Sequence, residues 1–273
     1  MDRRIFFKNN TALTDISDQV AYVKSDSYVL DFVAAEDKLY IGSNLPFNHL
    51  YFRFVTPNTS PSQASIKIWD GKAFVTVVDQ VDLTEGFTKD GILKWTVSRD
   101  TSWVREAYSY DVTNLSTTEI YDLYWMELSF SADLDITTDM LYVGQKFSND
   151  EDMYVYYPDL RQTNLMKQYS ATKTNWDDQH ISAAENIAVT LRSRSLIYTP
   201  DQINDYDQLR LASIHKTAEI IYSAFGKAYV DDKLEARKAY DSVMANPALV
   251  LDTNANSRVD WVDRKASSVW MSR

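Results

Sequence analysis

Leu50-Tyr51-Phe52-Arg53-Phe54-Val55 reads as a half-buried strand. An extended chain alternates its side chains, so Leu50, Phe52 and Phe54 fall on one face and Tyr51, Arg53 and Val55 on the other. The same period recurs from residue 28 to about 147. Ser65-Ile-Lys-Ile-Trp69 alternates, Asp70-Gly71 supplies a hairpin turn because glycine takes positive φ freely, and Phe74-Val-Thr-Val-Val78 reads as the return strand. Gly91 to Val97 sets Leu93, Trp95 and Val97 against Ile92, Lys94 and Thr96. Leu123 to Phe130 sets Tyr124, Met126, Leu128 and Phe130 against Trp125, Glu127 and Ser129. Short strands separated by turns predict an antiparallel, jelly-roll-like β-sandwich over 1–158, closed by Tyr154-Val-Tyr-Tyr-Pro158 after the acidic spacer Ser148-Asn-Asp-Glu-Asp152.

Beyond residue 158 the period changes. Ile181, Ala184, Ile187, Ala188 and Leu191 fall at three- and four-residue steps between Asp177 and Leu196. Thr199-Pro200-Asp201-Gln202 has the residues of a helix start, with Thr199 as cap and Gln202 completing a capping box. Leu211, Ile214, Ala218, Ile221 and Phe225 continue the stripe, and Gly226 is a stop. A third helix is expected from Asp232 to about Ala245, with Leu234, Tyr240 and Val243 inward and Asn246-Pro247 ending it. The expected fold class is therefore α+β in two domains, a β-sandwich over 1–158 and a small α-helical bundle with a C-terminal tail over 159–273.

The 273 residues are 45% hydrophobic and 25% charged, enough to bury a sizeable core. No apolar run approaches the roughly 18 residues a membrane span needs, and Ile5-Phe-Phe7 is too short for a signal-peptide core. The absence of cysteine removes disulfides, thiolate catalysis and Cys-type zinc sites, and fits assembly in a reducing cytoplasm. A net charge of -11 argues against gripping nucleic acid through phosphate contacts.

The sequence lacks a nucleophile elbow, a phosphate loop and a dinucleotide fingerprint, and has only 6 glycines, so no enzyme is expected. Carboxylates are plentiful, and Glu127 beside Trp125 has the look of a sugar-acting pair, although an exposed strand residue next to a packed aromatic gives the same pattern. Trp69, Trp95, Trp103 and Trp125 are the candidates for a sugar-stacking face, against the plainer reading of a β core. His49, His180 and His215 lack metal-ligand spacing and read as structural or surface histidines.

One loop has ligand spacing. Asp252, Asn254, Asn256, Asp260 and Asp263 stand at positions 1, 3, 5, 9 and 12 of a twelve-residue stretch, the pattern of a calcium loop, with the Arg258 carbonyl at position 7. Ser257 replaces the usual turn glycine and Asp263 the usual bidentate glutamate. A metal-free relic of such a loop, or an Asx-rich loop that bonds its own backbone, accounts for the same residues.

Over roughly 160–265 the chain resembles the head-to-tail connector, or adaptor, proteins of tailed bacteriophages. The residues that carry this are Leu209-Arg-Leu-Ala-Ser-Ile-His-Lys-Thr-Ala-Glu-Ile-Ile-Tyr222, Asp232-Lys-Leu-Glu-Ala-Arg-Lys-Ala-Tyr240 and Leu251-Asp-Thr-Asn-Ala-Asn256. Leu39-Tyr-Ile-Gly-Ser43, Leu50-Tyr-Phe52, Ile68-Trp-Asp-Gly71, Gly86-Phe-Thr88 and Leu123-Tyr-Trp125 resemble β-domains of phage virion proteins, an addition that a plain connector lacks. The resemblance implies a structural virion protein in the neck, assembled in the host cytoplasm as a homo-oligomeric ring, commonly of twelve, beneath the portal protein. It implies contacts to tail or tail-terminator proteins and a lumen through which genomic DNA passes without specific binding. Portal and ring contacts would fall to Trp261, Arg264, Lys265, Trp270 and Arg273. The competing expectation is a carbohydrate- or receptor-binding β-sandwich module.

Overall fold

The computed structural model describes residues 3–22, 26–105, 122–245, 247, 249–252 and 255–256. The class is α+β, with two antiparallel sheets and six α-helices among the described residues. Contacts divide the chain into two compact units that part between Gly144 and Gln145.

The strands of the first unit are β1 Arg3–Asn9, β2 Ala12–Asp15, β3 Tyr28–Val29, β4 Lys38–Ser43, β5 His49–Thr56, β6 Ala64–Trp69, β7 Phe74–Thr76, β8 Val78–Asp82, β9 Gly91–Thr96, β10 Tyr124–Phe130 and β11 Asp139–Gly144. A short helix, α1 Ser17–Val20, follows β2. One sheet runs β2-β1-β4-β10-β6-β7 and the other β3-β11-β5-β9-β8. The alternation seen in the sequence decides which side chains meet. Leu50, Phe52 and Phe54 of β5 and Leu93 and Trp95 of β9 join Ile5, Leu39, Ile41, Ile68, Met126 and Leu128 of the other sheet in one hydrophobic core. Each such side chain, fully removed from water, contributes about 1.5–3 kcal/mol of transfer free energy.

Asp70 makes the β6–β7 hairpin. Its carboxylate accepts from the backbone N–H groups of Lys72 and Ala73 at 2.8 Å each, and Gly71 takes φ +96°. The return strand is shorter than the expected 74–78. β7 pairs with β6, but the chain then leaves that sheet and β8 pairs with β9 in the other. Val77, buried at the crossing, and Asp79, at φ +50°, mark where the chain turns between sheets.

The six-stranded sheet carries apolar side chains on both faces. Away from the shared core, Phe6, Tyr40, Trp69, Leu123 and Trp125 form a second cluster. The Trp125 ring lies against Gly42, so a Cβ at that position would sit 2.7 Å from the ring.

The second unit contains α2 Asp150–Tyr156, α3 Thr163–Tyr169, α4 Asp177–Ser193, α5 Asp207–Ala224 and α6 Val230–Ala245, with 3₁₀ turns at Pro158–Arg161, Pro200–Gln202 and Gly226–Tyr229. The expected stripe of α4 is buried in full, from Ile181 to Leu191. α5 packs against both α4 and α6. Its Leu209 and Ala212 enter one cluster with Ile187, Leu191 and Met244, and its Ile214, Ala218 and Ile221 enter another with Met153, Trp176 and Ala236. Among the described residues no helix is long and apolar enough to cross a membrane.

Three expectations need correction here. Tyr154 to Pro158 does not close the β part, because Tyr154 lies in α2. Asn149 accepts from the Asp152 N–H at 2.9 Å as the N-cap, and Asp150, Glu151 and Asp152 fill the first turn, where the helix dipole favours negative charge. These local signals override the strand preference of Tyr154, Val155 and Tyr156. Thr199 does cap a turn, accepting from the Asp201 N–H at 3.1 Å, but the turn stops at Gln202, whose side chain accepts from the Tyr198 N–H. The long helix starts only at Asp207. Leu211 and Leu234, both read as stripe positions, face solvent, because α5 buries Leu209 and Ala212 on either side of Leu211 and α6 buries only the narrow line Ala236, Tyr240 and Met244.

Gly42→Ala is expected to cost about 1–3 kcal/mol in urea unfolding, the usual penalty of overpacking. Gly226→Ala, which meets no atom within 4 Å but holds φ +65°, should cost only the left-handed backbone term of about 1 kcal/mol.

Candidate functional site

The sequence candidates separate sharply. Trp69, Trp95, Trp103 and Trp125 are all buried, so they form core and not an exposed stacking face. Trp103 donates its indole N–H to the Trp125 carbonyl at 3.0 Å. Glu127 is not the exposed strand residue expected beside a packed aromatic. It is buried, accepts from the Tyr40 hydroxyl at 3.2 Å and pairs with Lys67 at 3.2 Å. Burial and the adjacent Glu127 charge push the Tyr40 phenol well above its ordinary value. Lys8 and Lys38 stand directly opposite one another on the same face. Burial lowers the Lys38 ammonium, with Lys67 and Lys8 acting the same way and Glu127 against it.

Of the calcium-like loop, Asp252 is buried and its N–H donates to the Gln202 carbonyl at 2.7 Å, while Asn256 is half-buried. Asn254, Asp260 and Asp263 lie outside the described residues, as do Trp261, Arg264, Lys265, Trp270 and Arg273. Among the described residues no three His, Asp or Glu side chains gather as a metal site.

A cluster that the spacing of residues did not reveal lies inside the helical unit. Ser148 precedes α2, Asp150 opens it, His180 sits in the first turns of α4, and Ser213 and Thr217 face inward from α5. His180 is 0% exposed. Its Nδ1 lies 2.7 Å from Ser148 Oγ and 3.2 Å from Thr217 Oγ1, and its Nε2 lies 3.1 Å from Asp150 Oδ1. Ser148 Oγ is also 2.7 Å from Ser213 Oγ. Asp150 further accepts from the Trp176 N–H and the Tyr154 hydroxyl, each at 3.2 Å.

The proton positions follow from counting donors. A neutral imidazole has one N–H and one lone pair. Asp150 as a carboxylate only accepts, so the ring proton is on Nε2 and Nδ1 is the acceptor. Thr217 commits its proton to the Ser213 carbonyl at 2.8 Å, which leaves Ser148 as the donor to Nδ1 and Ser213 as the donor to Ser148. Burial holds His180 below its ordinary value, and Lys146 works the same way against the hydrogen bond and charge of Asp150. Burial alone would raise Asp150, but the hydrogen bonds from His180, Trp176 and Tyr154 outweigh it and hold the carboxyl low. These are the residue types of a nucleophilic triad. Here, however, the hydroxyl meets Nδ1 and the carboxylate Nε2, and the serine is sealed beneath α5. The arrangement ties three elements together.

The same unit leaves apolar side chains in water. Tyr198 is 84% exposed and Val155 78%, and Tyr156, Val189, Leu211 and Leu234 are also exposed. Tyr156 packs edge-on to His215 at 5.7 Å, and Leu211 lies one turn before His215 on α5. Arg210 of α5 and Asp152 of α2 form an ion pair at 3.6 Å. No protein-family model matches the chain, and no curated protein matches it.

All three histidines are held below the ordinary 6.5, chiefly by burial. The unfolded chain therefore binds protons that the folded protein refuses. This stability is fully present above about pH 6.5 and is lost as pH falls below it. His180 alone should add a slope of up to about 1.4 kcal/mol per pH unit there. Urea midpoints measured at pH 7.5 and 5.5 are expected to fall with acidity, and the fall should be shallower in His180→Gln.

Proposed function

We propose that the protein is a structural virion component, a head-to-tail connector that forms a ring beneath the portal of a tailed bacteriophage. In this reading the chain has two domains, a jelly-roll-like β-sandwich and a helical bundle that makes the ring. Portal and tail or tail-terminator proteins are the partners, and no catalytic step is involved. The C-terminal residues Trp261, Arg264, Lys265, Trp270 and Arg273 serve the portal in this reading, and the Asp252–Asp263 loop is its candidate calcium site. The net charge of -11 suits a lumen that lets DNA slide, since like charge repels the phosphate backbone.

The observation that carries the reading is the helical unit. The segments that resemble a connector, 209–222 and 232–240, fall in two helices packed on each other, and that unit leaves Val155, Tyr156, Leu211 and Leu234 in solvent. Apolar side chains on neighbouring helices are what an assembling subunit presents to its neighbours.

Electron microscopy of the purified full chain, alone and mixed with a portal ring, tests this. A ring in either sample is expected. Dispersed particles in both, together with glycan binding on an array, would replace it with the carbohydrate-binding reading. Leu211→Glu combined with Leu234→Glu should abolish the ring while changing folding stability by about 0.5 kcal/mol or less, as exposed substitutions do.

A further inference from the structure

We infer that the outer face of the six-stranded sheet carries a binding site for a phosphate group, built by Lys8, Lys38 and Lys67 with the hydroxyls of Ser65 and Ser129. The strand register brings them together. Lys8 of β1 stands directly opposite Lys38 of β4, and Ser65 of β6 directly opposite Ser129 of β10. Ser129 lies one residue past the Leu128–Leu39 pair, which places it beside Lys38. Lys67 stands opposite Glu127, two residues before Ser129 on the same face. All five side chains are half-buried.

Like charges directly opposite on a sheet are destabilising, and neighbouring strands lie only about 4.8 Å apart. The Lys8 ammonium has no acceptor among the described residues, and Lys38 donates only to the Asp37 carbonyl, at 2.9 Å. Two carboxylates act on Lys38 from nearby, Glu127 and Asp37, but both are already engaged. Glu127 accepts from Tyr40 and pairs with Lys67, and Asp37 accepts from the N–H groups of Asn10 and Val33 at 2.7 Å each. The Ser65 and Ser129 hydroxyls have no partner among the described residues. This face thus offers three ammonium groups and two free hydroxyls on adjoining positions, in a chain of net charge -11. A carboxylate carries one charge and would leave one lysine of the opposed pair unbalanced. A phosphate dianion balances both and accepts from more donors at once, and lysine serves such a ligand as a point charge. The aromatic side chains of this face, Tyr40, Trp69 and Trp125, are buried and present no open ring for a base to stack on. Recognition therefore rests on the oxyanion and not on what carries it.

The test is NMR of the full chain with labelled lysine ε-carbons, titrated with inorganic phosphate, glycerol 3-phosphate and acetate at constant ionic strength and about pH 8, above the second phosphate pKa. The Lys8, Lys38 and Lys67 signals should move together and saturate with phosphate. Lys89, paired with Glu85 beside the other sheet, should not respond. Lys8→Gln and Lys38→Gln should each weaken binding by about tenfold, while Lys89→Gln leaves it unchanged. Phosphate should raise the urea midpoint of the unaltered chain but not that of the Lys8→Gln/Lys38→Gln double variant, whose own unfolding transition shows that it is folded. Equal affinity for the ester assigns the ligand as a phosphate carried on a larger molecule, and binding of the free ion alone assigns inorganic phosphate. Unsaturated shifts at every lysine, acetate binding as tight as phosphate, or unchanged phosphate affinity in Lys8→Gln and Lys38→Gln would overturn the proposal.

Discussion

An imidazole sealed from water must find a partner for each ring nitrogen within the protein, and in the helical unit that requirement at His180 recruits three elements at once. Asp150 comes from α2 and Ser148 from the chain before it, while α5 supplies Ser213, which donates to Ser148. Removing any one leaves a buried polar atom whose lost hydrogen bond costs about 1–3 kcal/mol. The order of helices in this unit is therefore tied to donor and acceptor counting as well as to apolar packing. The two hydrophobic clusters on either side of α5 supply bulk free energy. The polar cluster adds the directional constraint that apolar packing lacks.

The β unit is organised by a different constraint. A sheet with one polar face needs one partner, but the six-stranded sheet here has apolar side chains on both. Trp125 illustrates the consequence. Its neighbour Met126 belongs to the core shared by the two sheets, while Trp125 itself packs over Gly42 on the reverse face. Glu127, next along the strand on that face, is buried with it and meets Lys67 and Tyr40. The tryptophans that looked suited to sugar binding are thereby part of the framework.

Much of the β unit was legible because strand alternation has a short, strict period. Leu50, Phe52, Phe54, Leu93 and Trp95 are inward as read. The α4 stripe was equally plain, since 17 residues give several turns to average over. Boundaries were less legible. Tyr154-Val-Tyr carries strand-forming side chains, yet an Asn149 cap and three acidic residues make it helical. Leu234 fits a helical stripe but not the narrow line that α6 actually buries.

The sequence by itself determined the α+β class, the strand faces and the apolar stripe of α4, because these depend on periodicities that neighbouring residues impose on one another. Only the tertiary structure decided that Ser148, Asp150, His180, Ser213 and Thr217 meet, and that Glu127 finds Lys67. Those contacts join residues that are remote along the chain, up to 65 positions apart in the case of Ser148 and Ser213. Nothing in local spacing encodes such a meeting. It arises when packing removes water from polar atoms and they bond to whatever the fold has brought within hydrogen-bonding reach.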